Sequence, residues 1–532
     1  MHVFDVRRLR DVPTILSIVL LLMQAALPWT AKYFVTMDGP SHLYTAVLAR
    51  SLSFDSQSPY AGFYAMRSGL PTNWGVTAII NVLLFFVPTT HVEQALATLC
   101  VVIGVAACAY LLWSLSPDTL PLTPVLNVIA GVWFLWIGFY NFYLGMAFGF
   151  FALGYFIRNG RHLTWKKAAV LASLLLITAI THVLSAAVCL LAMGLVWCWI
   201  FTRSWLGCER TVDAMSILKP AGITIVTIIP ALIVLSSFVI SGSEARQSDR
   251  MIAWAFNSFP LHIFASSQGR TGEQLILYPG ILCIMSIGVL GMSKLEWLSA
   301  RGALALAAAI SYFLYLYFPD IGFGGSEVKI RFVWCVVLLA TITSLSTAKI
   351  RALRTPLSIY VAVLFLFHLF GTRETNLTSV SRFAEQYRAS LMALRPGSTV
   401  LRVLYPNDGV RQHFHIDRAA MNPLYHIDAF VAAERRLVVL TDYQAHAGYF
   451  PVVSGPLIHE RRGQLWALEG PGSTGPVSVN ELRSVLPKPV DYVLVIGDEG
   501  EKDQQAMVAS LQETMRPVPE ASQHGLRVFQ KK

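Results

Sequence analysis

Residues 14–35 read TILSIVLLLMQAALPWTAKYFV, an almost unbroken apolar run with Arg7, Arg8 and Arg10 just ahead of it. A run of about 20 apolar residues crosses a hydrocarbon core of ~30 Å. The arginines before it hold its start on the cytoplasmic side. A signal peptide would have a shorter apolar region and a small-residue cleavage site. This run instead continues into MDGP, so it reads as an uncleaved first span. Working outward, similar apolar blocks recur through residue 371. The 532-residue chain is 55% hydrophobic and only 14% charged, against about 25% charged in ordinary soluble domains. Such a chain could not cover a soluble surface. The composition excludes a cytosolic enzyme, a disordered chain and a nucleic-acid-binding domain, and predicts a multi-pass membrane protein.

The net charge of +10 is informative by location. Residues 372–532 hold 18 basic and 17 acidic side chains, whereas residues 1–371 hold 23 and 14. In the first part the basic residues cluster in short loops between apolar blocks, the positive-inside pattern of membrane topology. Arg158, Arg161, Lys166 and Lys167 mark one cytoplasmic loop. Arg203, Arg210 and Lys219 mark another, Lys294 and Arg301 a third, and Lys349, Arg351 and Arg354 a fourth. Spans are expected at 74–88, 93–114, 168–184, 185–202, 220–240, 275–292, 302–318, 330–347 and 357–371. Residues 123–157 are read as one broken crossing, interrupted near Gly138-Phe-Tyr-Asn141, because broken helices are tolerated where they line a cavity. The sum is about 11 crossings, with 13 the next choice.

The expected division is a membrane domain over 1–371 and an extracytoplasmic α/β domain over 372–532. In the tail, β-branched or alternating runs at Thr399–Tyr405, Leu437–Thr441, Tyr492–Ile496 and Leu526–Phe529 predict strands. Val380–Leu394 and Gln504–Met515 predict helices. The seven cysteines include no CxxC pair and six lie inside apolar blocks, so they form neither a zinc ribbon nor a disulfide framework.

The first outer loop opens with Met37-Asp38-Gly39-Pro40-Ser41-His42-Leu43-Tyr44. A carboxylate at the membrane surface can act as a general base or hold a divalent cation. Asp before Gly-Pro is also a common helix entry, so Asp38 as an N-cap stays open beside that reading. His182 ends an apolar run, where an ionisable group is costly without polar company. A buried histidine satisfied by the backbone explains it equally well. Lys329 and Arg331 sit at the outer end of a span, against the positive-inside trend. Arg246, Arg250 and Arg270 lie in the outer loop 241–274. Fixed cations there suit a transferring phosphate, and snorkelling to headgroups is the plainer account. The tail pairs His413/His415 and His426/Asp428 lack a third ligand at diagnostic spacing.

A cytoplasmic start, one span and then D-x-P-x-H at the head of a long outer loop resemble the GT-C superfamily of membrane glycosyltransferases. The segment Gly138-Phe-Tyr-Asn141-Phe-Tyr-Leu-Gly145, Thr181-His182 and Arg331 add to the likeness, which covers residues 1–371 in architecture. The outer α/β tail also suits that family. The resemblance implies transfer of a sugar from a polyprenyl-phosphate-type donor to a glycan, lipid or protein acceptor on the extracytoplasmic face of a bacterial inner membrane. It makes Asp38 the base or the ligand of a divalent cation, Mg2+ or Mn2+, with His42 beside it. Beside the resemblance, the charge argument puts Arg246, Arg250, Lys329 and Arg331 at the donor phosphate, and His182 is expected to line the same site. A second acidic motif in a later outer loop, common in that family, is missing: Glu244, Asp249, Glu273, Asp320 and Glu327 are isolated. Two other functions fit the membrane architecture. A transporter or flippase for lipid-linked glycans would show pseudo-symmetric halves and mid-membrane charges, and neither is seen. A non-catalytic scaffold of envelope polysaccharide assembly would explain the missing second acidic motif.

Overall fold

A computed structural model describes residues 12–69, 72–130, 135, 137–206, 214–241, 283–318, 328–347, 350, 353–372, 377–416, 422–468, 483, 486, 488–500 and 502–532. In chain order the main helices are α1 (Val12–Ala26), α2 (Gly39–Phe54), α3 (Gly75–Leu83), α4 (Val92–Leu115), α5 (Thr123–Ala130) and α6 (Tyr140–Asn159). They continue with α7 (Trp165–Thr181), α8 (Val183–Trp205), α9 (Ala214–Ser241), α10 (Ala300–Tyr317), α11 (Val328–Leu345) and α12 (Arg354–Thr372). The tail adds α13 (Thr378–Leu391), α14 (Ile427–Arg435), α15 (Tyr443–Ala447) and α16 (Lys502–Thr514). The chain divides into two compact units. One holds Met1–Ala26, Thr98–Phe134 and Tyr140–Phe370, and the other Leu27–Ala97, Leu135–Phe139 and Gly371–Lys532. The division into 1–371 and 372–532 follows the chain; this grouping follows the contacts, and it gathers the first outer loop with the tail.

The first unit is helical. Seven helices among the described residues are long and apolar enough to cross a membrane: Val12–Thr30, Thr89–Leu115, Tyr140–His162, Val183–Trp205, Ile217–Val239, Ala300–Tyr317 and Val328–Leu345. The described residues therefore do not establish 11 crossings. α7 has 17 residues, and the expected spans at 275–292 and 357–371 each lie partly outside the residues whose side chains are described. α11 is the innermost helix, with every residue but Arg331 buried, as expected of a helix that is apolar on all faces. It packs on α10, and α6 packs on α7 and α8. Gly145 permits that approach: a Cβ there would come within 2.7 Å of His182 Cβ.

One sequence expectation changes here and another is met. The expected crossing at 74–88 is α3, a nine-residue helix. At 1.5 Å per residue it spans about 13 Å, under half of the ~30 Å core. It packs against α2 within the second unit. The broken stretch 123–157 is interrupted where expected. α6 begins at Tyr140, and Gly138 just before it has φ +90°, a conformation that favours glycine.

The second unit is α/β. Strands β2 (Thr399–Leu404), β3 (Val438–Val439), β5 (Tyr492–Ile496), β6 (Met515–Pro517) and β7 (Leu526–Lys531) form one sheet in the order β3-β2-β5-β7-β6. β3, β2 and β5 are parallel, and β7 and β6 are antiparallel additions. β2 and β5 are buried along their whole length, as parallel strands covered on both faces are. A second, two-stranded sheet pairs β1 (Tyr64–Met66) of the first outer loop with β4 (Val452–Ser454) of the tail, Tyr64 opposite Ser454. α2 packs on α14 and α15.

Candidate functional site

The turn Thr36–Gly39 is built around a buried carboxylate. Glu93 Oε1 accepts from the Thr36 amide at 2.9 Å and from Thr36 Oγ1 at 2.5 Å, and Thr36 Oγ1 in turn accepts from the Gly39 amide at 3.0 Å. Gly39 is required there, because a Cβ would meet Glu93 Oε1 at 1.7 Å. The Asp38 amide donates to Ile137 O at 2.8 Å. A Cβ on Gly138 would meet the Asp38 and Gly39 amides at 3.1 and 2.7 Å. Ile137 and Gly138 thus press directly on the turn that carries Asp38.

Asp38 occupies the N-cap position of α2, with Pro40 in the first turn, yet its side chain makes no cap hydrogen bond. The first amide of the helix, that of Gly39, is taken instead by Thr36 Oγ1, and the His42 amide makes the first helical bond to Asp38 O at 3.1 Å. The residue is only 8% exposed. Its Oδ1 faces His426 Nε2 at 3.6 Å. The His426 ring stacks on Tyr443 with centroids 4.7 Å apart. Burial, then the nearby Arg402 and His42, hold the His426 imidazole well below its usual range, so it faces Asp38 as a neutral ring. Burial and the Asp38 charge push the Tyr443 phenol well up.

His42 lies one turn along the buried start of α2. Gln444 Nε2 donates to its Nδ1 at 2.9 Å, which leaves Nε2 to carry the proton toward the Gly138 carbonyl. Burial lowers the imidazole to about 4. Thr45 Oγ1 donates to Gln444 Oε1 at 2.8 Å, and Ser41 Oγ donates to Asp442 Oδ1 at 2.9 Å. Asp442 is raised to about 7, chiefly by burial and further by Asp428. Behind His426, Arg402 and Asp428 form a buried ion pair at 3.0 Å.

Asp38 and His42 therefore share one polar cluster in the second unit. His182, Lys329 and Arg331 lie in the first. His182 caps α8, its Nδ1 accepting from the Ser185 amide at 3.4 Å, and Phe142 meets its ring edge-on at 5.2 Å. Arg331, in the first turn of α11, is within electrostatic reach of His182. Lys329 is buried on the same turn. Arg246 and Arg250, like Arg270, lie outside the described residues.

His426, Tyr443, Asp442, Gln444 and Glu93 were not singled out as partners of the Asp38 loop. His426 stood out in the sequence only as a weak metal-ligand pair with Asp428. Nothing local links residues some 400 positions apart. Among the described residues no group of three or more His, Cys, Asp or Glu side chains could hold a metal ion. Asp38 supplies one hard oxygen donor, and the His426 nitrogen is not a ligand that Mg2+ favours. One carboxylate is too few for a closed protein cage, but it fits a cation such as Mg2+ that is held by one or two carboxylates together with the phosphates of a substrate.

No family model and no curated protein matches the sequence. Solved structures do match. The Archaeoglobus fulgidus oligosaccharyltransferase, in complex with zinc and sulfate, is similar over 90% of this chain and 68% of its own, at 12% identity and a TM-score of 0.50. Its apo form is similar over 92% and 70%, at 11% identity and 0.46. The mycobacterial arabinofuranosyltransferase AftD is similar over 97% of this chain but 41% of its own, at 12% identity and 0.49. At such identities the likeness is one of fold alone: this multi-pass membrane protein shares its fold with that oligosaccharyltransferase.

Proposed function

We propose that the chain is an integral membrane glycosyltransferase that moves a sugar from a polyprenyl-phosphate-type donor to a glycan, lipid or protein acceptor on the extracytoplasmic face. The observation that carries this reading is the Asp38 carboxylate. It is buried, it is not used to cap its helix, and it faces a neutral imidazole. A carboxylate so held can take a proton from an acceptor hydroxyl. The hydroxyl oxygen then attacks the anomeric carbon, the bond from that carbon to the phosphate oxygen breaks, and the polyprenyl phosphate leaves with the electron pair. A divalent cation on Asp38 would supply charge neutralisation at the departing phosphate. In this scheme His426 and His42 orient the acceptor and hold the α2 turn. Lys329 and Arg331 are proposed to bind the donor phosphate, with His182 beside Arg331. Arg246 and Arg250 are proposed for the donor on sequence grounds alone.

The same reading fixes a topology. If α3 does not cross, the basic loop at 158–167 stays cytoplasmic only when residues 123–137 and 140–159 cross separately. The hydrogen bond from Asp38 to Ile137 supports this, because it draws the turn between those two crossings to the outer loop. The crossing total remains about 11, one lost at α3 and one gained at Gly138. Reporters inserted at Gly138 and after Gly371 should read extracytoplasmic, and one at Arg161 cytoplasmic. A cytoplasmic signal at Gly138 would overturn the arrangement.

The activity is tested by Asp38→Asn in cells lacking the native copy, with mass spectrometry of lipid-linked and envelope glycans. Removing a general base costs about 10²–10⁴-fold in rate. Full product from a well-expressed D38N protein would leave the scaffold as the better reading.

A further inference from the structure

At the end of the helical unit that carries the basic loops, a cavity of about 100 Å3 opens among four segments. On the same measure a space of about 10–15 Å3 admits one water, so this one holds a polyatomic group. The end of α6 contributes Phe156, the turn after it Arg161, α8 Trp199 and Arg203, and the start of α10 Ser299 and Ala300. Two arginines therefore line one space. The Trp199 indole N–H, also on this wall, is buried with no hydrogen-bond partner among the described residues. The cavity also meets the N-terminus of an 18-residue helix capped by Ser299, where the helix dipole favours anions. The neighbouring Arg301 pairs with Glu296 at 3.4 Å and donates to Leu115 O at 3.1 Å.

We propose that this cavity binds the phosphate headgroup of an anionic membrane phospholipid. Guanidiniums grip phosphate oxygens through their planar fork, and indole N–H groups favour the headgroup level of a bilayer. The remaining wall is apolar, with Ile157, Val196, Ile200 and Leu298 beside the arginines. A free phosphate gains nothing from such a wall. A phosphate ester with hydrocarbon at its other end buries it. The basic loop residues Arg158, Lys166 and Lys167 flank the same end, which sets this cavity at headgroup depth whichever leaflet faces it. The inference does not depend on the proposed transferase activity.

The test uses the full chain, delipidated in detergent and then offered phosphatidylglycerol, phosphatidylcholine or inorganic phosphate, with native mass spectrometry and thermal unfolding as readouts. Phosphatidylglycerol should stay bound and raise the unfolding midpoint, and phosphatidylcholine should do so less. Arg161→Gln should weaken phosphatidylglycerol retention about fivefold, as expected for one lost charge at an anionic lipid. Lys166→Gln, the same charge change at a neighbouring exposed position outside the cavity, should weaken it clearly less. Arg161 is itself exposed, so R161Q keeps its fold; R203Q should act in the same direction. Equal losses in R161Q and K166Q would reduce the effect to general surface charge and overturn the site. Stabilisation by inorganic phosphate equal to that by phosphatidylglycerol would overturn the lipid as its occupant.

Discussion

The two units satisfy many of their buried polar groups in different ways. In the helical unit several buried hydroxyls bond one turn back along their own helix, although Ser185 and Ser358 reach the carbonyls of Phe142 and Pro121. Thr178 donates to Leu174 O at 2.7 Å, Thr224 to Pro220 O at 2.8 Å, Thr227 to Ile223 O at 2.7 Å and Ser311 to Ala307 O at 2.8 Å. In the second unit the partners are far apart in the chain. Ser41 reaches Asp442, Thr45 reaches Gln444, and Tyr44 donates to Leu437 O at 2.8 Å. A helix in lipid must be self-sufficient, because no water is present to satisfy what it leaves open. A unit exposed to water can postpone satisfaction until the fold closes, and then depends on every partner being present.

The largest expected consequence is at Arg402, which is 1% exposed and paired with Asp428. Arg402→Ala leaves a buried carboxylate without its cation, a change that costs about 3–5 kcal/mol. It should unfold the second unit selectively, seen as loss of hydrogen-exchange protection in peptides covering β2 and β5 while α11 keeps its own. The double replacement Arg402→Met with Asp428→Leu should recover most of that stability, since an apolar pair of similar volume avoids the desolvation. Wild-type protection in R402A would break the contrast between the units.

Acid should come next. His42 and His446 are lowered to about 4 from 6.5, and His426 is lowered well below its usual range, all chiefly by burial. These groups bind protons more tightly when the unit opens. The stability they contribute is present above about pH 6.5 and is lost as pH falls toward 4. Asp442, raised to about 7 from 3.8, has the opposite sign: its contribution is present below 3.8 and is lost as pH rises through 7. Across pH 6.5 to 4 opening takes up three protons and releases one. The unit should therefore weaken by roughly 2–3 kcal/mol per pH unit on acidification. Asp442→Asn removes the opposing term, so its acid slope should be steeper than that of the wild type. Equal slopes would mean that Asp442 is ionised in the folded unit.

The same contrast explains what could be read in the sequence. Helices and strands of the tail follow local pattern, so Val380–Leu394 anticipates α13 (Thr378–Leu391) and Tyr492–Ile496 is β5 itself. The break at Gly138 was legible because a glycine-aromatic stretch interrupts a long apolar run. Residues 74–88 misled for a related reason. Hydropathy sees Val82, Phe85 and Phe86 as membrane-facing, but the helix stops at Leu83 and these side chains lie exposed beyond or beside its end. Asp38 could be singled out because Pro40 and His42 follow it closely. His426 and Gln444 could not be tied to it, since their meeting with Asp38 and His42 depends on sheet pairing that joins the first loop to the tail at β1 and β4. Local pattern carries no record of that pairing.

The smallest effect, and the sharpest comparison, is one substitution made twice. Thr45 and Thr224 are both buried and both donate through Oγ1 at 2.8 Å. Valine matches threonine in shape and lacks only the hydroxyl. At Thr224 the acceptor is a carbonyl of the same helix, and transmembrane side-chain hydrogen bonds average about 0.6 kcal/mol. Such back-bonding can even destabilise a helix slightly. Thr224→Val should therefore shift the unfolding midpoint barely or not at all. At Thr45 the acceptor is Gln444 Oε1, whose amide nitrogen is engaged with His42. Thr45→Val strands a buried carbonyl oxygen, a loss of about 1–3 kcal/mol, and frees the amide to turn away from His42. The Gln444–His42 bond should then weaken with it, so the His42 ring should become easier to protonate, visible as an upward move of its NMR titration from about 4. Equal costs at the two sites, with the His42 titration unmoved, would mean that partner distance in sequence has no energetic meaning here.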